Sequence, residues 1–219
     1  MAKPTLKSVK KQTNNKYVNM FELQYDHNGQ EVVYNVASRR EIDKNSANKH
    51  KLDAVIVLPY IIEGGEIFVV FSREFRYPIN DYVYDVPAGC VDKGETGEQT
   101  AIRELKEEIG AEVLLIEKNT DTSFTSPGII NETSQSFFAL VSLNKKTNLE
   151  PHEIITKKIV PLTEVLDFVD SHLMAVQGKM MAKIFYYKTM FEQLKNKKIW
   201  QNLSHMIQWK NDFRHKRDR

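Results

Sequence analysis

The chain has 219 residues, of which 41% are hydrophobic and 27% charged, and its formal net charge is +2. This length and composition predict one domain with an appendage, and the small net charge gives no reason to expect a nucleic-acid or membrane partner. The single cysteine, Cys90, excludes an intramolecular disulfide and is typical of a reducing compartment. The N-terminus lacks the apolar core of a signal peptide, and no apolar run reaches the roughly 18 residues of a membrane span, so we expect a cytoplasmic protein.

Residues 1–50 are predicted to form a small β-rich unit. The stretches YVNMFELQY (17–25) and EVVYNVAS (31–38) alternate apolar and polar residues and are rich in β-branched and aromatic side chains. The sequence DHNGQ between them is typical of a hairpin turn. The polar segment RREIDKNSANKHK (39–51) has no periodicity and is interpreted as a linker.

Residues 51–195 are predicted to form a second unit that combines strands and helices. Apolar residues at helical spacing indicate a helix at about 98–109, and Gly110 is well placed to end it. From Thr163 onward the pattern is helical, and residues 196–219 are predicted to be a basic amphipathic helix or tail. This order of elements predicts an α/β (α+β) layer fold. The predicted strands are LDAVIVLPYII, IFVVFSREF, DYVYDVPAG, VLLIEK, SQSFFALVSL and TKKIVPL.

Three glutamates crowd one side of the helix at 98–109. Glu104 lies three residues before Glu107 and four before Glu108, so the three carboxylates share a face. Like charges at this spacing destabilise a helix by about a few tenths of a kcal/mol each. Such a group of carboxylates is either a solvated helix face or a site for Mg²⁺ or Mn²⁺, which prefer oxygen ligands.

The wider spacing around this helix favours the metal site. It resembles the Nudix box, G-x5-E-x7-R-E-U-x-E-E-x-G-U, in which U is a bulky aliphatic residue. Leu105 fills the first U position, and Ala111 is smaller than the usual last residue. The seven matching fixed positions are Gly89, Glu95, Arg103, Glu104, Glu107, Glu108 and Gly110.

The resemblance implies a Nudix-type α/β/α sandwich with a mixed sheet, and it implies a role for each residue of the box. Glu104 and Glu108 would be the main ligands of Mg²⁺ (or Mn²⁺), and Glu107 would support them in catalysis. Arg103 and Glu95 would pair to fix the helix against the loop before it. The resemblance also implies a backbone carbonyl ligand at Ala88 and structural roles for Gly89 and Gly110.

The segment TSPGIINET (125–133) resembles the catalytic loop of the ADP-ribose pyrophosphatase branch of the Nudix family. It lies in a predicted loop of about 15 residues, 119–133, and loops of that length in compact domains are usually functional or disordered. The resemblance makes Glu132 the general base and places Pro127 and Gly128 beside the substrate. Without the box upstream, this segment would be an ordinary turn with a surface acid.

Two further fragments resemble substrate-binding segments of the same branch. In REFRYP (73–78), Arg76 is the residue that would contact the phosphates. In VASRREI, Arg40 and Glu41 would help to form an adenosine pocket, or they are an ordinary charged strand end. In this branch the N-terminal β unit commonly crosses to a second subunit, so the resemblance implies a homodimer.

The resemblance therefore implies a Mg²⁺-dependent hydrolase that cleaves ADP-ribose, or a similar nucleoside diphosphate sugar, to AMP and a sugar phosphate. The sequence leaves open NADH, a GDP-sugar, a dinucleoside polyphosphate or an RNA 5′ end as the substrate. It also leaves open a non-catalytic Nudix sensor, although every acidic position of the box is present. The C-terminal residues 195–219 carry eight Lys/Arg and two acids, but their apolar residues fall at helical spacing, so we expect a packed helix rather than a nucleic-acid contact.

Overall fold

The computed structural model describes residues 3–47, 50–143, 146–149 and 153–215, with side chains up to residue 195. These residues form ten strands and three helices, joined by turns and loops. The strands are β1 Thr5–Lys11, β2 Asn19–His27, β3 Gln30–Ser38, β4 Ala54–Glu63, β5 Glu66–Arg76, β6 Asp81–Asp85, β7 Ala88–Cys90, β8 Glu112–Phe124, β9 Thr133–Ser142 and β10 Ile155–Pro161. The helices are α1 Gly97–Ile109, α2 Val165–Ser171 and α3 Val176–His215.

The N-terminal part of the chain forms a separate antiparallel sheet in the order β1-β2-β3. The predicted hairpin joins β2 to β3 through Asn28 and Gly29, whose φ angles of 55° and 81° are those of a turn that follows the strand twist. Phe21, Leu23 and Val36 form a small core on one face. Strand β1 is absent from the sequence-based prediction, because its lysine-rich stretch shows little apolar alternation.

The larger sheet is mixed and carries helices on both faces. Its strands run in the order β10-β5-β4-β9-β8, with β6 on β5 and β7 on β4, and β4 and β9 are parallel. Alternation along β4 divides the core, because Val55 and Val57 pack with α1, whereas Leu58 packs with α2 and α3. This arrangement is an α/β/α sandwich, and the predicted fold class is confirmed.

The predicted loop at 119–133 is shorter in the structure. Strand β8 continues to Phe124, which pairs with Thr133, so the connection to β9 comprises only residues 125–132. The prediction was wrong here because NTDTS has no apolar alternation. Thr120 extends the pairing through its hydroxyl group, which lies 2.8 Å from that of Ser136.

Helix α3 runs without interruption from Val176 to His215, across the boundary predicted at residue 195. The division into units at 1–50, 51–195 and 196–219 stays a prediction. In the described part of the chain, no helix combines the length and the apolar character that crossing a membrane requires.

Candidate active site

Helix α1 begins and ends at well-defined residues, which fixes the position of its glutamates. The Thr96 hydroxyl accepts a hydrogen bond from the backbone N–H of Gln99 at 3.2 Å, and the Gln99 side chain accepts one from the N–H of Thr96 at 2.9 Å. This reciprocal pair satisfies two donors at the helix start. Gly110 ends the helix with a φ of 62°, a left-handed conformation that favours glycine.

Two of the three glutamates point towards the sheet. Glu104 and Glu108 are 8% and 6% exposed, whereas the Glu107 side chain is 36% exposed. Strand β7 pairs with β4 and runs beside α1, so the Ala88 backbone N–H lies 3.4 Å from Glu108 Oε1. The Glu104 carboxylate occupies the space beside Gly89, where an added Cβ would lie 1.8 Å from Glu104 Oε1. The glycine at the start of the box therefore makes room for a glutamate.

Arg103 connects the carboxylates of the box. Its Nε donates to Glu95 Oε1 at 3.0 Å, and its Nη1 donates to Glu104 Oε1 at 2.6 Å and to Glu107 Oε2 at 3.2 Å. Its Nη2 donates to the Cys90 carbonyl at 3.0 Å. The hydrogen bonds from Arg103, followed by that from Thr100, lower the pKa of Glu95 to about 2. Arg103 and Glu95 thus tie α1 to the segment that precedes it.

Burial raises the pKa values of both Glu104 and Glu108. Burial, followed by the negative charge of Glu104, raises the pKa of Glu108 well above its ordinary value. Burial also raises the pKa of Glu104, although Arg103 partly offsets this effect. Two buried carboxylates this close favour either protonation or a bound cation.

The donor set fits a hard divalent cation. Carboxylate oxygens of Glu104 and Glu108, the Glu107 carboxylate at the surface and the carbonyl of Ala88 are the ligand types that Mg²⁺ and Mn²⁺ prefer. Within the described residues, no three His, Cys, Asp or Glu side chains are already gathered around one point. Arg103 holds Glu104 and Glu107 instead, so a cation would have to compete with its guanidinium group.

Glu132 lies at the end of the connection from β8 to β9, and both of its carboxylate oxygens accept hydrogen bonds. Its Oε1 accepts from Arg39 Nε at 2.5 Å, its Oε2 accepts from the Thr125 hydroxyl at 3.1 Å, and its side chain is 16% exposed. Burial raises the pKa of the Cys90 thiol, Arg39 lowers it, and the charges of Glu132 and Glu104 raise it. Ala54 of β4 pairs with Cys90 of β7 on one side and with Ser134 of β9 on the other, so the segment beside α1 and the turn that carries Glu132 lie at the same end of the sheet.

The other predicted substrate residues have partners within the chain. Arg76 Nη2 lies 3.0 Å from Glu74 Oε2 and 3.6 Å from Asp85 Oδ2. Arg76 therefore pairs with one acid of its own strand, β5, and with one acid of the neighbouring strand β6. Its role with phosphates stays a prediction.

The two residues predicted for an adenosine pocket point to different neighbours. Arg40 lies 3.3 Å from Asp53 Oδ1 and donates to the Asn131 carbonyl at 2.9 Å. Glu41 is exposed and pairs with Lys11. Neither contact tests a role in substrate binding.

Pro127 and Gly128 belong to the turn that leads to Glu132. The Ser126 carbonyl accepts from the backbone N–H of Ile129 at 3.0 Å and closes this turn. The Gly128 carbonyl accepts from the Tyr34 hydroxyl at 2.6 Å. The turn is thus attached to the N-terminal sheet.

A comparison with known families matches the NUDIX domain to residues 50–183. The chain belongs to the Nudix family. The matched range includes every residue of the Nudix box and the loop to Glu132, and it leaves β1–β3 outside.

Similar proteins place this Nudix chain near the ADP-ribose pyrophosphatases. It is 37% identical to the ADP-ribose pyrophosphatase of Bacillus subtilis over 137 residues, which are 62% of this chain and 69% of the relative. It is 29% identical to the ADP-ribose pyrophosphatase of Saccharomyces cerevisiae over 198 residues, 82% of this chain and 84% of the relative. The prediction of a Nudix hydrolase related to these enzymes is confirmed.

A solved structure shows the same fold. The crystal structure of an ADP compounds hydrolase superposes with a TM-score of 0.68 and 18% identity, and it covers 89% of this chain and 97% of that chain.

Sequence reasoning missed Arg39, which contacts Glu132 directly. The available signal was the pair Arg39-Arg40 at the end of a predicted strand, of which the resemblance indicated only Arg40. Adjacent residues of an extended segment point to opposite sides, so the choice depends on how the strand is placed against the loop. Only the structure supplies that placement.

Proposed function

We propose that this Nudix chain hydrolyses the pyrophosphate of ADP-ribose, or of a closely similar nucleoside diphosphate sugar, to AMP and a sugar phosphate. The observation that carries the proposal is the pairing of β4 both with β7, which lies beside Glu104, and with β9, which follows Glu132, because it supports a complete box and a candidate base at one end of the sheet. The names of the B. subtilis and S. cerevisiae relatives support ADP-ribose as the substrate.

Mg²⁺, or Mn²⁺ in its place, would be held by Glu104 and Glu108, with Glu107 and the Ala88 carbonyl as further ligands. When bound, such a cation neutralises phosphate oxygens and makes a water molecule more acidic. Arg103 keeps Glu104 and Glu107 oriented, and Gly89 leaves the space that Glu104 needs. These residues prepare a site for a divalent cation, which would in turn attract the negatively charged pyrophosphate of the substrate.

Glu132 would act as the general base. Its carboxylate takes a proton from the attacking water while the water oxygen forms a bond to one phosphorus. The bond from that phosphorus to the bridging oxygen breaks, and the bridging oxygen leaves with the other phosphate. Arg76 would bind a phosphate, and Arg40, Glu41, Pro127 and Gly128 would line the nucleoside and sugar parts of the pocket.

A homodimer is part of the proposal. Strand β3 exposes Val32, Val33 and Tyr34 beyond what its own small core buries, which supports a partner for the N-terminal sheet. Size-exclusion chromatography with light scattering measures the mass directly, and a mass of one chain at micromolar concentration would contradict the dimer. A cytoplasmic location, expected from the cysteine content, stays a prediction.

The decisive test of the proposed function is a substrate panel. ADP-ribose, NADH, a GDP-sugar, a dinucleoside polyphosphate and a capped RNA are supplied at equal concentration with Mg²⁺, and products are separated by chromatography. We expect the highest kcat/KM with ADP-ribose and the formation of AMP. A higher kcat/KM with any other compound would change the assigned substrate, and tight binding of ADP-ribose without product would indicate a sensor.

A further inference from the structure

The end of β3 contacts almost the whole turn that carries Glu132. The Tyr34 hydroxyl donates to the Gly128 carbonyl at 2.6 Å, and the Ala37 N–H donates to the Ile129 carbonyl at 2.8 Å. Further along, the Asn131 N–H donates to the Ala37 carbonyl at 3.4 Å. Ala37 and Ile130 form a short parallel bridge. The N-terminal sheet and the turn therefore behave as one hydrogen-bonded unit.

The last contact of this series reaches the side chain of Glu132. Arg39, which directly follows β3, donates from Nε to one carboxylate oxygen, and Thr125 donates to the other. A carboxylate with both oxygens bound in this way has a fixed direction, whereas a free glutamate samples several rotamers. Arg39 itself is 39% exposed, so it does not serve to fill the core.

We propose that Arg39 is a positioning residue that aims Glu132 at the reaction site, and that the end of β3 clamps the turn for this purpose. The inference rests on the proposed role of Glu132 as the base. It assigns the N-terminal sheet a part in the chemical step, in addition to any part in substrate binding. Arg40 has a different task, because its contacts with Asp53 and the Asn131 carbonyl fix the main chain beside the turn.

An exposed ion pair often contributes little to the stability of a protein, so the effect of Arg39 has to be measured on catalysis. A misdirected base lowers the rate of the chemical step and leaves ground-state binding nearly unchanged. Loss of a group that orients a functional residue typically lowers activity by about 10–100-fold. We therefore expect a lower kcat with little change in KM.

The kinetic test compares Arg39→Gln and Arg39→Lys with Arg73→Gln. Arg73, in β5, is a matched control because it is also exposed and its guanidinium group stacks on Tyr82 in β6. We expect kcat for ADP-ribose to fall about 10–100-fold in Arg39→Gln, with KM within about threefold. Arg39→Lys should recover part of the loss, and Arg73→Gln should match the wild type.

A double variant decides whether Arg39 acts through Glu132. If it does, adding Arg39→Gln to Glu132→Gln lowers kcat no further than Glu132→Gln alone. A full additional loss in the double variant would overturn the proposal, because Arg39 would then act on the substrate directly. A rise in KM with unchanged kcat would also overturn it.

A measurement without substrate separates this inference from the proposed function. Hydrogen exchange of peptides that cover 125–132 reports the hydrogen bonds of the turn. We expect faster exchange in Arg39→Gln and in Tyr34→Phe than in the wild type, and no change in Arg73→Gln. If the exchange rate of these peptides is the same in both variants as in the wild type, the end of β3 does not hold the turn. This outcome would overturn the proposal whether or not the wild type hydrolyses ADP-ribose.

Discussion

The candidate site has an α1 side, which carries the glutamates of the box, and a loop side, which carries Glu132. The contacts that build these two sides differ greatly in how far apart their residues lie along the chain. On the α1 side, Arg103 binds Glu107 four residues away and Glu95 eight residues away. On the loop side, Arg39 and Glu132 are 93 residues apart in the chain, and Tyr34 and Gly128 are 94 apart. The α1 side is thus organised by one helix and its flanking turns, while the loop side depends on the whole fold.

This difference separates two kinds of functional group. The α1 side concentrates buried negative charge and fits a cation, so its residues contribute electrostatics. The loop side supplies a single carboxylate whose direction is set by a neighbouring sheet, so its residues contribute orientation. We therefore expect loss of a buried carboxylate of α1 to have a larger effect than loss of the loop carboxylate, and variants on the loop side to affect mainly kcat.

The largest effect is expected for Glu108→Gln. This change removes a buried carboxylate that would bind the cation, and we expect kcat for ADP-ribose to fall by about 10³-fold. The Tm should not fall, because the change also removes a buried charge that lies next to Glu104. Glu98→Gln is the matched control, since Glu98 lies exposed in the first turn of the same helix. Equal activity of Glu108→Gln and the wild type would contradict the assignment of Glu108 as a metal ligand.

Glu132→Gln should have the next largest effect. Glutamine keeps the size of the side chain but cannot accept the proton, and loss of a general base lowers kcat by about 10²-fold or more. Steady-state kinetics with ADP-ribose in Mg²⁺ measure kcat and KM separately. Glu31→Gln, an exposed acid in β3, serves as the control. A loss below about threefold would contradict the role of Glu132 as general base and would leave the loop side without an assigned chemical function.

The sequence was sufficient for the α1 side because its information is local. The spacing from Gly89 to Gly110 names every residue of the box, and helical geometry alone puts Glu104 and Glu108 on one face. The core of the sandwich follows for the same reason, since alternation in β4 sorts its side chains between two faces.

The loop side could be predicted only in part. Glu132 was found by resemblance, but the length of its loop was overestimated because the Thr, Ser and Asp residues of 119–124 conceal a strand end. The contact between Arg39 and Glu132 depends on the register of β2 and β3 and on the docking of their sheet against the turn. Neither is encoded in a short stretch of sequence, so Arg40 was chosen in place of its neighbour.

Gly89→Ala tests the α1 side without changing any charge. The new Cβ would lie 1.8 Å from Glu104 Oε1, so the carboxylate must move away from its present position. We expect activity to fall about 10-fold or more, with a higher Mg²⁺ concentration needed for half-maximal rate, because the ligand is displaced and not lost. Circular dichroism and Tm would show whether the variant is folded. Wild-type Mg²⁺ dependence in a folded variant would mean that Glu104 does not need this position.

The smallest effect is expected for Glu95→Gln, measured as stability against pH. Arg103 and Thr100 lower the pKa of Glu95 from 4.5 to about 2, so the ionised carboxylate stabilises the folded state. This contribution is fully present above about pH 4.5 and is lost as the pH falls towards about 2. Urea unfolding should therefore show a small deficit of Glu95→Gln at pH 7 that narrows between pH 5 and pH 3. Glu98→Gln should show no such deficit. A gap that stays constant or widens towards low pH would mean that Arg103 does not stabilise the Glu95 carboxylate, and that α1 is held to its preceding segment by its cap and core contacts alone.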